Sequence, residues 1–282
     1  MRMQTTLARS VEVSGIALHS GVRARARLSP APIDTGIVFI IDGVEIPATV
    51  AHVVDTQLAT TLGRGGARVR TVEHLLATLM GLGLDNLMVE VEGGELPVLD
   101  GCGAAWSEHL HGAGIVDQAA PIRIRKITRV VEVRDGPRWA RLEPADGLAL
   151  DVRIDFDHPC VGRQTLALQI DQGVFDSELA WARTFGFERH VPAMKRMGLV
   201  LGGTLDNALV FGEEGPLNEG GVRRADEPVR HKMLDALGDM ALLGGPVHGR
   251  LVAERPGHGV IFELMSAVVA QPDSWKLCGV DA

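Results

Sequence analysis

His231 and Asp235 stand four positions apart in PVRHKMLD (228–235), so in an α-helix they lie one turn apart on the same side. Asp239 falls one turn further along. At about 100° per residue the three stay within roughly 80° of one another. They lie apart from an apolar face of Val229, Met233, Leu237, Met240 and Ala241. Two kinds of chemistry suit such a set. A His/Asp pair at this spacing on a polar face is ordinarily a solvated ion pair. It can also supply two of the roughly three protein ligands that a catalytic zinc needs beside an open position for water.

A third ligand must then come from elsewhere, and TVEHL (71–75) offers one. His74 could complete the set, and Glu73 could take a proton from the activated water. The ordinary reading of Glu73-His74 is a surface pair. His258 sits between two glycines in PGHGV (256–260). Glycine permits close backbone approach, and a histidine there suits a general acid, although a loop histidine is more often merely exposed.

These residues need elements to hold them. Val72, Leu75, Leu76 and Leu79 recur at helical spacing, which predicts a helix beginning near Glu73 and stopped by Gly81 and Gly83. Asp226 and Pro228 open a second helix, the one carrying His231. IVFIIDGVEI (37–46) reads as a hairpin turning at Asp42-Gly43. GRGG (63–66) is another turn, and it is no P-loop because no Gly-Lys-Ser/Thr follows. A strand is expected at 86–93 and helices near 103–113, 176–182 and 260–270. Residues 114–122 read as a short linker between two units, 1–116 and 122–282. Helix, glycine-rich turn and strand follow one another in VEHLLATLMGLGLDNLMVEVEGG and again in VRHKMLDALGDMALLGGPVHGRLVAERPG. That weak repeat favours two similar α+β units over one doubly wound sheet.

Composition narrows the function further. The 282 residues are 46% hydrophobic and 23% charged, as an ordinary folded core requires. No run approaches the ~20 apolar residues of a membrane span, and the start lacks an apolar signal region, so a cytoplasmic location without stable membrane insertion is expected. Cys102, Cys160 and Cys278 are odd in number and widely spaced, which argues against a disulfide framework or a zinc ribbon. A net charge of −8 disfavours nucleic acid as a partner.

TVEHL, ELPVLDG (95–101), ARTFGF (182–187), GLVLGGTLDNALV (198–210), LNEGGVR (217–223), VRHKMLDALGD (229–239) and Gly257-His258 follow one another in this order. Together with GIALHSG (15–21), they resemble the zinc-dependent UDP-3-O-acyl-N-acetylglucosamine deacetylases of Gram-negative bacteria, which catalyse the committed step of lipid A synthesis. The resemblance runs over almost the whole chain. It implies an α+β fold of two similar two-layer sandwiches, with helices packed together between two outer sheets and the site at their junction. It implies zinc (Zn2+) as cofactor, held by His74, His231 and Asp235. Glu73 becomes the base, His258 the acid oriented by Asp239, Thr184 a stabiliser of the oxyanion, and Lys232 a substrate contact at the reacting centre.

The same resemblance implies a UDP-linked acylated glucosamine as the partner; the oligomeric state is left open by the sequence, with a monomer expected. Asp155 and Phe156 match positions around the uridine, Phe185 belongs to the ARTFGF motif, and Arg138 and Arg255 fall where basic side chains meet the nucleotide. Leu18, Val191, Val200, Thr204, Leu205 and Val210 would border the acyl chain, with core packing as the competing explanation. His19 lies near the site without an assigned role. Two alternatives stand beside this: a zinc amidohydrolase for another N-acyl substrate, and a non-catalytic RNA-binding or scaffold protein.

Overall fold

The computed structural model describes residues 2–279. Its strands bury alternate side chains as a half-covered sheet must. In Arg23–Pro30, Ala24, Ala26 and Leu28 turn inward while Arg23, Arg25 and Arg27 face water. That strand lies second in a five-stranded sheet ordered Val11–Ile16, Arg23–Pro30, Leu87–Glu92, Ile37–Ile41, Val44–Pro47. The third and fourth strands are parallel and the other neighbours antiparallel. Asp42 and Gly43 make the expected tight hairpin turn, both at positive φ (51° and 75°).

The second half repeats the plan. Val131–Asp135, Arg138–Glu143, Val247–Glu254, Leu148–Asp155 and Arg163–Ile170 pair in that order, and again the third and fourth form the parallel pair. Ile124–Ile127 and Trp275–Cys278 extend this sheet to seven strands. The repeat suggested by the sequence is therefore carried in the pairing pattern.

The helices are α1 (Glu73–Leu82), α2 (Ala104–Ala113), α3 (Gln172–Val174), α4 (Val191–Arg196), α5 (Glu227–Met240) and α6 (His258–Ala270). α1 packs on α2 and α5, and α5 packs on α6. α2 meets the first sheet, whereas α5 and α6 meet the second. The long helices thus lie together between the two sheets. One continuous apolar core joins Phe39 and Val89 of the first sheet, Leu76 and Leu237 of the helices, and Leu142 and Val152 of the second sheet. None of the described helices is long and apolar enough to cross a membrane.

Two expectations need correction. Residues 114–122 are not a free linker. They contain the strand Ile115–Pro121, which pairs antiparallel with Met3–Leu7. Gly114, at φ 80°, turns the chain out of α2, and the β-branched pair Ile115-Val116 then meets an open strand edge. The helix expected near 176–182 begins earlier, because the Asp171 carboxylate accepts from Val174 N–H at 2.8 Å and caps α3. It continues as a π-helical turn over Phe175–Leu179 that seats the fully buried Phe175 against Gly81 of α1.

Candidate active site

Helix α5 has no solvated face. All but one of its residues are buried, including His231, Asp235 and Asp239. Helices α1 and α6 and the second sheet enclose it, so the reading of His231/Asp235 as a surface ion pair does not hold. Gly238 allows the closest approach of its neighbours. A Cβ there would stand 2.1 Å from the Glu73 carbonyl oxygen, so the α5 backbone rests directly on the first turn of α1. That contact brings Glu73 and His74 to His231 and Asp235.

One ligand atom from each of His74, His231 and Asp235 lies within 4.8 Å of the others. Asp235 Oδ1 stands 3.2 Å from His231 Nε2 and 3.6 Å from His74 Nε2. It is buried and makes no hydrogen bond among the described residues, a costly state unless a cation completes it. The other oxygen, Oδ2, accepts from Lys232 Nζ at 2.7 Å, so Lys232 is turned toward the Asp235 carboxylate. His231 Nδ1 lies 3.0 Å from the Ala182 carbonyl. A carbonyl can only accept, so the proton sits on Nδ1 and the Nε2 lone pair points into the cluster. Burial lowers the His231 pKa and keeps the ring neutral. Burial works to raise Asp235, but the cationic charge beside it, Lys232 with its ammonium on Oδ2, outweighs it and holds the carboxyl well below its usual range. Two imidazole nitrogens and one carboxylate oxygen are the donor set that a zinc ion takes.

Glu73, His258 and Asp239 stand beside this cluster. Glu73 is 3% exposed, and burial raises its pKa, as Asp235 and Asp239 also do. A raised carboxylate is a stronger base than a solvated one. Its Oε2 accepts from Thr60 N–H at 3.0 Å, and its Oε1 lies 3.8 Å from His258 Nε2. His258 opens α6, and its Nδ1 meets Asp239 Oδ2 at 2.8 Å. Burial opposes its charge, but Asp239 and Glu73 prevail and push its pKa up to about 9. Backbone in the left-handed region precedes both groups, at Thr71 (φ 58°) and Arg255 (φ 50°). Such strain is stored where a site needs a fixed geometry.

Sequence reasoning missed Thr60. Its hydroxyl donates to Asp239 Oδ1 at 2.6 Å and lies 3.3 Å from His258 Nδ1, while its N–H serves Glu73. One residue thus ties Glu73 to the His258–Asp239 pair. Half of that role belongs to a backbone group, which leaves no mark in residue type. Glu95 of ELPVLDG was recognised as part of a motif but given no task. Its carboxylate accepts from His19 N–H (2.8 Å), Ser20 N–H (2.9 Å) and the Thr71 hydroxyl (2.9 Å), joining the GIALHSG turn to the start of α1.

The other expected site residues fall into two groups in the structure. Phe156 and Phe185 meet edge to face at 5.4 Å, and Phe185 lies 6.4 Å from the His231 ring. Arg255 forms an ion pair with Asp155. Trp139 pairs with Glu254, which places exposed Arg138 and Arg255 at one end of adjoining strands. Elsewhere, Gly202 and Leu201 N–H donate to the Leu18 and His19 carbonyls, both at 3.0 Å, so Val200 runs beside the GIALHSG turn. His19 is buried with Nε2 unpartnered among the described residues, and burial lowers its pKa to about 4. Val191 and Val210 are half-buried, whereas Thr204 and Leu205 stand at the surface. Thr184 is half-buried two residues beyond Ala182, with its N–H donating to the Gly101 carbonyl at 2.7 Å.

Residues 4–270 match the family model of the UDP-3-O-acyl N-acetylglycosamine deacetylases. The chain is 47% identical over 279 residues to the UDP-3-O-acyl-N-acetylglucosamine deacetylase of Anaeromyxobacter dehalogenans, covering 98% of this chain and 91% of that protein. It is 44% identical over 282 residues to the enzyme of the same name from Acidithiobacillus ferrooxidans (98% and 93% covered). The enzyme of that name from Myxococcus xanthus is 44% identical over 278 residues (97% and 88% covered).

Proposed function

The chain belongs to the UDP-3-O-acyl N-acetylglycosamine deacetylase family, and we propose that it hydrolyses the 2-acetamido group of a UDP-3-O-(3-hydroxyacyl)-N-acetylglucosamine, the committed step of lipid A synthesis. The observation that carries this reading is the buried convergence of three metal-ligand atoms with a raised carboxylate and a histidine–aspartate pair. His74, His231 and Asp235 would hold a zinc ion, which would supply Lewis acidity to the reaction. Glu73 takes the proton from the attacking water. His258, charged and held by Asp239, gives a proton to the departing amine, which cannot leave as an anion. The Thr184 hydroxyl stabilises the oxygen that gains charge. Phe156 and Phe185, with Asp155, Arg255 and Arg138, hold the nucleotide end. Leu18, Val191, Val200, Thr204, Leu205 and Val210 border the acyl chain. A nucleotide-linked substrate also supports a cytoplasmic location.

The test of substrate class is acetate release from UDP-N-acetylglucosamine bearing 3-hydroxyacyl chains of several lengths, against the same compound without an acyl chain. Acylated substrates are expected to turn over and the unacylated one to lag far behind. Equal rates for both would point instead to an amidohydrolase for another N-acyl compound.

The acid assignment predicts a particular pH response. Asp239 raises the His258 pKa, so the kcat/KM profile should fall on its basic side as the imidazolium is lost. Asp239 and Glu73 push that pKa up to about 9, and a bound dication would pull the limb lower. Asp239→Ala should move the basic limb to lower pH, and His258→Ala should flatten it while bound metal is retained. A basic limb identical in all three proteins would remove His258 from the acid role.

A further inference from the structure

We infer that Arg183 and Glu227 are a positioning pair whose task is to hold the His231 ring in its metal-binding orientation, an inference that rests on the reading of His74, His231 and Asp235 as zinc ligands. Glu227 opens α5 exactly one turn before His231 and is fully buried, with 0% exposure. Arg183 grips it with two parallel bonds, Nε to Oε1 at 2.8 Å and Nη2 to Oε2 at 3.0 Å. The same carboxylate accepts the backbone N–H of Arg183 at 3.1 Å and of Arg223 at 2.6 Å. Arg183 Nη2 also donates to the Gly221 carbonyl at 2.9 Å.

These bonds close a ring through the site. Arg183 follows Ala182, whose carbonyl takes the His231 Nδ1 proton. Glu227 fixes the Arg183 backbone and side chain, and α5 leads from Glu227 back to His231. The position of the Ala182 carbonyl is therefore set from the same helix that carries the ring it orients. Thr184, one residue further on, is carried with it. The pair also gives a common purpose to three sequence segments, ARTFGF, LNEGGVR and the approach to VRHK, which all meet at this carboxylate. Stability alone is a poor explanation. A buried ion pair is often no more stabilising than apolar residues of the same size. A planar, two-bond Arg–carboxylate contact does supply fixed geometry.

The test uses the zinc-loaded chain with Glu227→Gln and Arg183→Lys. Each keeps approximate size but breaks the two-bond grip. Zinc affinity is measured by competition with a fluorescent chelator, alongside thermal unfolding of the metal-free proteins and the low-field NMR signal of the His231 Nδ1 proton. Both variants should bind zinc roughly 10- to 100-fold more weakly, the usual cost of losing a partner that orients a ligand. The Nδ1 signal should shift or broaden, and kcat should fall more than KM changes. Should Glu227→Gln fail to fold, Arg183→Lys, which leaves no uncompensated charge, decides the matter. Unchanged zinc affinity and an unchanged Nδ1 signal in a folded variant would reduce the pair to a structural role and overturn the inference. A wild-type chain that binds no zinc is a separate result, and it brings down the metal-centre reading itself.

Discussion

Glu73→Gln should lower kcat by roughly 10²- to 10⁴-fold, the usual worth of a general base, while metal content and substrate affinity stay near those of the wild type. The substitution preserves shape and the hydrogen bond from Thr60 N–H to the side-chain oxygen. It removes the proton-accepting charge. Because Glu73 is buried and its pKa raised, no solvent carboxylate stands ready to replace it. Neither of its oxygens belongs to the three-residue cluster, so the metal should remain. Single-turnover acetate release together with metal analysis measures both halves of this expectation. Near-normal turnover would mean that another group activates the water. Loss of metal would mean that Glu73 belongs to the ligand set.

How much of this was visible in the sequence depended on whether a feature lay within one element. The His231–Asp235–Asp239 series was legible because a single helix fixes its spacing. The paired-sheet plan was foreshadowed by the repeated helix–turn–strand order, and the Asp42-Gly43 turn by its dipeptide. His74 could be offered as a third ligand, but only the resemblance to a known family joined two helices more than 150 residues apart. The burial of α5 was not legible. A charged stripe on an amphipathic helix reads as solvated, and only packing against α1 and α6 from the other side turns it inward. Gly238 carries no signal of its own in the helical pattern, because its purpose lies in the Glu73 backbone across the interface. The strand Ile115–Pro121 was hidden because its partner, Met3–Leu7, lies at the opposite end of the first unit. The roles of Thr60 N–H and the Ala182 carbonyl were hidden because backbone groups have no residue type.

The account stands or falls on the ligand set. Asp235 would contribute an oxygen that has no hydrogen bond among the described residues, and His231 a nitrogen whose lone pair is aimed by the Ala182 carbonyl. Removing either leaves two ligands where about three are needed for tight zinc binding. The decisive measurement is metal content and acetate release on the same samples of wild type, His231→Ala and Asp235→Ala, with the UDP-linked acylated substrate. The wild type should hold about one zinc per chain, and both variants should lose zinc and turnover together while still folding. Full zinc retention in both variants, or full turnover in metal-stripped wild type, would contradict the account.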